Sequence, residues 1–205
     1  MQEQIQQEIK SITKKLPPQT TLIAVSKTKP SKYIGFAKEV GQNHFGENYV
    51  SELVLKATIY PDANWHFIGH LQSNKISQIK HIKNLTVHTV DSVSLAQKLS
   101  TIEGVNIFLQ VNISNEESKS GFKINDLQQS IQKIQSCNIK IIGLMCIGEP
   151  GNGEIEFKLM RTLRDQFLPT GKLSMGMSDD WEIAIKYESN FVRIGSQIFG
   201  EREKK

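Results

Sequence analysis

The sequence predicts an α/β fold, a closed (β/α)8 TIM barrel preceded by one helix. Eight short apolar, β-branched runs alternate with helical patterns along the 205 residues. The runs are apolar throughout instead of alternating with polar residues, which demands a parallel sheet covered on both faces. Eight such runs favour closure, and no Gly-x-Gly-x-x-Gly follows the first one to support the competing open, doubly wound sheet.

Each element has its own signal. Ile5, Ile9, Ile12 and Leu16 recur at steps of four, three and four, so the N-terminus reads as an amphipathic helix stopped by Pro17-Pro18. The strand series is TLIAVSK at 21–27, HFGEN at 44–48, WHFIGH at 65–70, LTVHTVDS at 85–92, VNIFLQVNIS at 105–114, IKIIGLMCIG at 139–148, KLSMGMS at 172–178 and FVRIGSQIFG at 191–200. Between them SKYIGFAKEV, YVSELVLKATIY, LQSNKISQIKHIK, SVSLAQKLSTI, INDLQQSIQKIQ, NGEIEFKLMRTLRDQF and DDWEIAIKYESN read as helices. Such a barrel needs roughly 200 residues at minimum, so 1–205 is expected to form one domain, with no linker or internal repeat in view.

Composition removes several function classes. At 38% hydrophobic and 22% charged, the chain is an ordinary globular sequence and not a disordered one. The net charge of +4 comes from scattered basic residues, so nucleic acid is not an expected partner. Cys137 and Cys146 are too few for a disulfide framework and lack metal-ligand spacing with any histidine, which fits a reducing, cytoplasmic setting. The start MQEQIQQEIKSITKKL has no apolar leader core, and nowhere do eighteen apolar residues run together, so neither export nor a membrane is expected.

Barrel chemistry gathers at the carboxyl ends of the strands, which selects Lys27, Asn48, His70, Asp91, Asn112, Met145, Ser174 to Ser178, and Arg193 with Gly195. Lys27 ends the first run, where partial burial can make its amine a Schiff-base nucleophile, although most lysines in such loops are simply solvated. Gly195 and Ser196, with Ser174 or Ser178, fall where barrels bind phosphate on backbone amides, unless the glycines merely make tight turns. Arg193 reads equally as an ion-pair partner or as a donor aimed into the barrel mouth. His66 reads as a core residue, His70 as structural and Lys119 as a solvated loop charge. No metal site is expected.

Seven motifs then carry a resemblance over nearly the whole chain: AVSKTKP at 24–30, HFGENYVSE at 44–52, WHFIGHLQSNK at 65–75, SKSGF at 118–122, GLMCIG at 143–148, LSMGMSDD at 173–180 and VRIGSQIFGER at 192–202. In this order they resemble the pyridoxal phosphate homeostasis protein family, relatives of the amino-terminal barrel of alanine racemase. The resemblance implies an alanine racemase N-terminal-like barrel that binds pyridoxal 5'-phosphate (PLP) as an aldimine on Lys27. It also implies Arg193 facing the pyridine nitrogen, Gly195 and Ser196 on the phosphate with help from Ser174 or Ser178, and Asn48 beside the cofactor. The implied role is intracellular homeostasis of PLP and amino acids without established turnover, with no catalytic residue. Apo-enzymes that receive the cofactor are the partners to consider, and a monomer is the expected state.

The alternatives are a PLP-dependent amino acid racemase and an aldolase-type barrel that uses Lys27 on a sugar phosphate. Racemisation needs a base on each face of the substrate, and Tyr33, Tyr49, Tyr60 and Tyr187 all fall in segments read as helices.

Overall fold

Ile5, Ile9 and Ile12 form one buried stripe on helix α1 (Gln2–Lys15), which ends at Leu16 where the two prolines begin. The structure, a computed structural model, describes residues 1–114, 116 and 119–201. Ser118 of the SKSGF motif and Arg202 of the last motif lie outside the described residues.

The eight expected strands are β1 (Thr21–Val25), β2 (His44–Glu47), β3 (Asn64–Phe67), β4 (Leu85–Val90), β5 (Asn106–Gln110), β6 (Lys140–Met145), β7 (Lys172–Ser174) and β8 (Phe191–Ile194). They close in sequence order into a parallel barrel, β8 returning to β1 through Thr21 opposite Phe191 and Ala24 opposite Ile194. The intervening helices are α2 (Lys32–Lys38), α3 (Val50–Ile59), α4 (Ile76–Ile79), α5 (Val93–Leu99), α6 (Leu127–Gln135), α7 (Gly153–Phe167) and α8 (Trp181–Lys186), with α9 (Ser196–Phe199) after β8. Helix α1 packs beside α2 and α9, where Gln2 and Gln6 donate to the Glu39 carboxylate.

Strand alternation sorts the core into two layers. Leu22, Ala24, Phe45, Trp65, Phe67, Val87, Ile107, Leu109, Leu173 and Val192 face outward into the helices. Ile23, Val25, Phe108, Met145 and Phe191 fill a smaller cluster inside the barrel. Full burial of a side chain of this size is worth about 1.5–3 kcal/mol, so the outer layer carries most of the stability.

Two expected elements are corrected. LQSNKISQIKHIK contracts to a tight 3-10 turn over Ser73–Lys75 followed by α4, because Ile76, Ile79 and Ile82 recur at steps of three, too short a period for a long α-helical stripe. FVRIGSQIFG is a strand and a helix, divided at Gly195, whose φ of -124 and ψ of -65 leave the extended region. The other strands stop short of their apolar runs, so the residues past Phe67, Val90 and Ser174 become loops at the barrel mouth. Tyr33 alone of the four tyrosines lies within a helix, while Tyr49 precedes α3 at the mouth side and is half exposed.

Candidate functional site

A cavity of ≈ 320 Å³ opens at the carboxyl ends of β1, β2, β6 and β8, walled in part by Lys27, Asn48, Ser178, Arg193, Gly195 and Ser196. A wider groove of ≈ 950 Å³, running from Ser100 to Asn106 and from Gln135 to Lys140, sits at the opposite end of the barrel. It lacks the amine, guanidinium and glycine turn that converge in the mouth cavity.

The chain leaves β1 at Val25 and holds its line for one more residue, since Ser26 N–H donates to Gly46 O at 3.0 Å. Lys27 is half-buried at the next position, and Thr28 then turns the chain at a φ of 64. A β-branched residue in that region costs on the order of 1–3 kcal/mol, so neighbouring structure must impose it. Thr28 N–H donates to Glu52 Oε2 at 2.8 Å, and the same oxygen receives Lys56 Nζ at 2.8 Å. Lys56 Nζ also donates to Glu47 Oε1 (2.8 Å) and Ser26 O (2.7 Å), while Ser26 Oγ donates to Glu47 Oε1 at 2.6 Å. Burial pushes the Glu47 carboxyl up to about 7, against the pull of Lys56 and Ser26. A buried ion pair on α3 and β2 therefore braces the Lys27 turn.

Arg193 projects from β8 and is 4% exposed. It donates through Nη2 to Cys146 O (2.8 Å) and through Nη1 to Ser174 Oγ (2.9 Å), and among the described residues no carboxylate lies within ion-pair distance of it. Burial lowers its pKa from the ordinary value, although a guanidinium keeps its proton at any working pH. A buried cation with neutral partners is suited to an acceptor-bearing ligand. Burial pushes the adjacent Cys146 thiol up to about 12, which makes it an inert core residue.

Gly195 precedes α9 and packs against β1, where a Cβ would lie 3.1 Å from Val25 O. The first-turn amides of α9 at Ser196 and Gln197 have no helical carbonyl behind them, and Ser196 Oγ pairs with Ser178 Oγ at 3.0 Å. Asn48 follows β2, and its backbone is approached so closely by β3 that a Cβ on Gly69 would collide with the Asn48 carbonyl. Its buried Oδ1 finds no partner among the described residues.

The structure thus brings together Lys27, Asn48, Ser178, Arg193, Gly195 and Ser196. Ser174 lies one layer beneath them, fully buried on β7, with its hydroxyl between Arg193 and His88. His70 is exposed near Asp91, 3.6 Å away, and Asn112 lies toward a neighbouring cavity of ≈ 320 Å³ that also touches Asn48. Lys119, read as a solvated charge, is paired with Glu116 at 2.7 Å and Glu149 at 2.5 Å. Lys29 and Asp179 are wall residues that sequence reasoning missed, because neither ends a strand. Among the described residues no group of three or more metal-ligating side chains forms, and no helix is long and apolar enough to cross a membrane.

The family model for the alanine racemase N-terminal domain matches residues 2–203. The pyridoxal phosphate homeostasis protein of Homo sapiens is 38% identical over 230 residues, covering 98% of this chain and 84% of that one. The protein of the same name from Escherichia coli K12 is 37% identical over 207 residues, with 91% and 88% covered. PipY of Synechococcus elongatus PCC7942, solved with PLP bound, superposes with a TM-score of 0.85 at 35% identity, covering 96% of this chain and 100% of that one. Alanine racemase from E. faecalis shares the barrel alone, at a TM-score of 0.77 and 15% identity over 98% of this chain and 58% of that one. The chain belongs to the alanine racemase N-terminal domain family, among relatives named pyridoxal phosphate homeostasis protein.

Proposed function

We propose that the protein binds PLP in the mouth cavity, with the Lys27 amine as its Schiff-base partner, and serves cytoplasmic PLP homeostasis without catalytic turnover. The observation that carries this reading is one cavity holding an amine after β1, a buried guanidinium on β8 and the first-turn amides of α9. The names of the relatives and the PLP in PipY support it. The residues fit the group: Gly195 lets the turn before α9 pack closely on β1, which sets the free first-turn amides at the cavity wall, and the unpartnered Asn48 Oδ1 leaves an acceptor for a ligand donor. When bound, PLP supplies an aldehyde for amines and an electron-withdrawing ring.

Lys27 holds the aldehyde end, on a turn braced by Glu52 and Lys56. Arg193 donates to the ring nitrogen and keeps its own proton, so the ring stays a weak electron sink. Ser178, Ser196 and the α9 amides hold the phosphate. The protein handles the cofactor as a monomer, with apo-enzymes as its receivers. The visible spectrum of the purified protein tests the reading. Colour that is lost on borohydride reduction, with the cofactor mass on Lys27, is the expected result. Reduction that traps a sugar phosphate on Lys27 while PLP leaves no mass would replace the reading with the aldolase alternative.

A further inference from the structure

Three histidines one βα unit apart, His44, His66 and His88, stand on consecutive strands and meet inside the barrel. His44 Nδ1 lies 2.9 Å from His66 Nε2, and His66 Nδ1 lies 2.8 Å from His88 Nε2. His88 Nδ1 lies 2.8 Å from Ser174 Oγ, which accepts from Arg193 Nη1. His66 and His88 are 3% and 0% exposed and pack on Phe191, His88 also stacking on Phe108 at 4.5 Å. An unbroken line of side-chain hydrogen bonds therefore crosses the barrel, from its amino-terminal opening to the residue proposed to face the cofactor ring.

The protons along that line are determined by one end. A guanidinium only donates, so Ser174 Oγ must accept from Arg193, and its single hydrogen goes to His88 Nδ1. His88 then carries its proton on Nε2 and donates to His66 Nδ1, and His66 repeats the pattern to His44 Nδ1. Deep burial holds both inner rings neutral, which the single-direction pattern requires. At the far end half-buried His44 faces an opening lined also by Lys140 and Lys172, and both burial and the Lys172 charge favour its neutral form.

We infer that His44, His66, His88 and Ser174 form one directional hydrogen-bond chain that makes His44, at the far end of the barrel, a positioning residue for Arg193. This rests on the PLP reading for its consequence, though not for its existence. Each ring polarises the next, so the Arg193 donation to Ser174 is strengthened and the guanidinium is aimed by groups that never touch the cofactor. A barrel interior is ordinarily filled with branched apolar residues, and the polar line replaces part of that packing at the cost of desolvation.

Nitrogen-15 NMR of the labelled full chain without added PLP tests the chain itself. Scalar couplings across the hydrogen bonds are expected from His66 Nε2–H to His44 Nδ1 and from His88 Nε2–H to His66 Nδ1. A proton on Nδ1 of His66 or His88, or absence of both couplings, overturns the inference. His44→Phe then removes the last acceptor at a half-buried position. The Arg193 Nη and His88 resonances should shift, and the visible band of PLP-loaded protein should move, while His44→Gln, whose carboxamide oxygen still accepts, should restore both. Unchanged Arg193 signals and an unchanged band in His44→Phe would overturn the positioning role. Protein that takes up no PLP refutes the proposed function instead, and the couplings still decide the chain.

Discussion

Lys56 Nζ sits 2.8 Å from Glu47 Oε1, with 3% and 0% of the two side chains exposed, directly beneath the turn that carries Lys27. Removing one member of such a pair strands a buried charge, which costs about 3–5 kcal/mol. Lys56→Met should therefore lower the urea midpoint strongly, and Glu47→Gln added to it should recover part of the loss. The single variant should also bind PLP more weakly than wild-type protein of equal foldedness, because the Glu52 carboxylate that holds Thr28 N–H loses its Lys56 partner. Additive effects of the two substitutions on stability would contradict the pairing.

Lys27→Ala should abolish covalent attachment and leave the fold intact, since a half-buried residue beyond the end of β1 contributes little to packing. Mass spectrometry after borohydride reduction reads the first effect and circular dichroism the second. Cofactor mass on Lys29 in the wild-type protein, with Lys27 unmodified, would reassign the attachment.

The phosphate cradle predicts that pyridoxal binds far more weakly than PLP. Each charge-assisted bond is worth about 1.5–3 kcal/mol, on the order of tenfold or more in affinity. Ser178→Ala should cost roughly tenfold on PLP and nothing on pyridoxal. Isothermal titration of both ligands makes the comparison, and equal dissociation constants would remove the anion site.

Stability should fall as the pH drops below the ordinary histidine value. Burial holds His66 and His88 well below 6.5 in the folded chain, so the unfolded chain binds more protons there and is favoured as acid is added. Glu47, raised from 4.5 to about 7, works in the opposite direction: the folded state holds its proton in that window and gains stability as pH falls. One proton of difference is worth about 1.4 kcal/mol per pH unit, so two buried imidazoles outweigh one carboxyl. Urea melts at about pH 7.5 and about pH 5.5 should show the net loss, and Glu47→Gln should steepen it.

The protein should not exchange the Cα proton of L-alanine at a useful rate. Among the described residues the mouth cavity is lined by no tyrosine, and its second amine, Lys29, is tethered by donation to Glu201 O at 2.6 Å. Proton loss in deuterated water, followed by NMR, is the measurement. Fast exchange with appearance of the D-isomer would promote the racemase alternative.

The strand count, the order of elements and the six expected residues that the structure gathers at the mouth cavity (Lys27, Asn48, Ser178, Arg193, Gly195 and Ser196) were legible in the chain, because β/α alternation and strand-end position are local properties that one sequence carries on its face. Ser174 and Ser178 could not be told apart from the motif LSMGMS. Their separation depends on where β7 ends, and the structure turns Ser174 inward beneath Arg193 while Ser178 reaches the wall. The even interval from His44 to His66 to His88 was also visible, yet it meant nothing until barrel closure pointed all three rings at one axis. Nothing in the helical segment YVSELVLKATIY sets Lys56 apart, and only the packing of α3 over β1 and β2 encloses it with Glu47. Periodicity decides which face of an element is buried; which side chains meet across that burial depends on register and closure, and those belong to the tertiary structure alone.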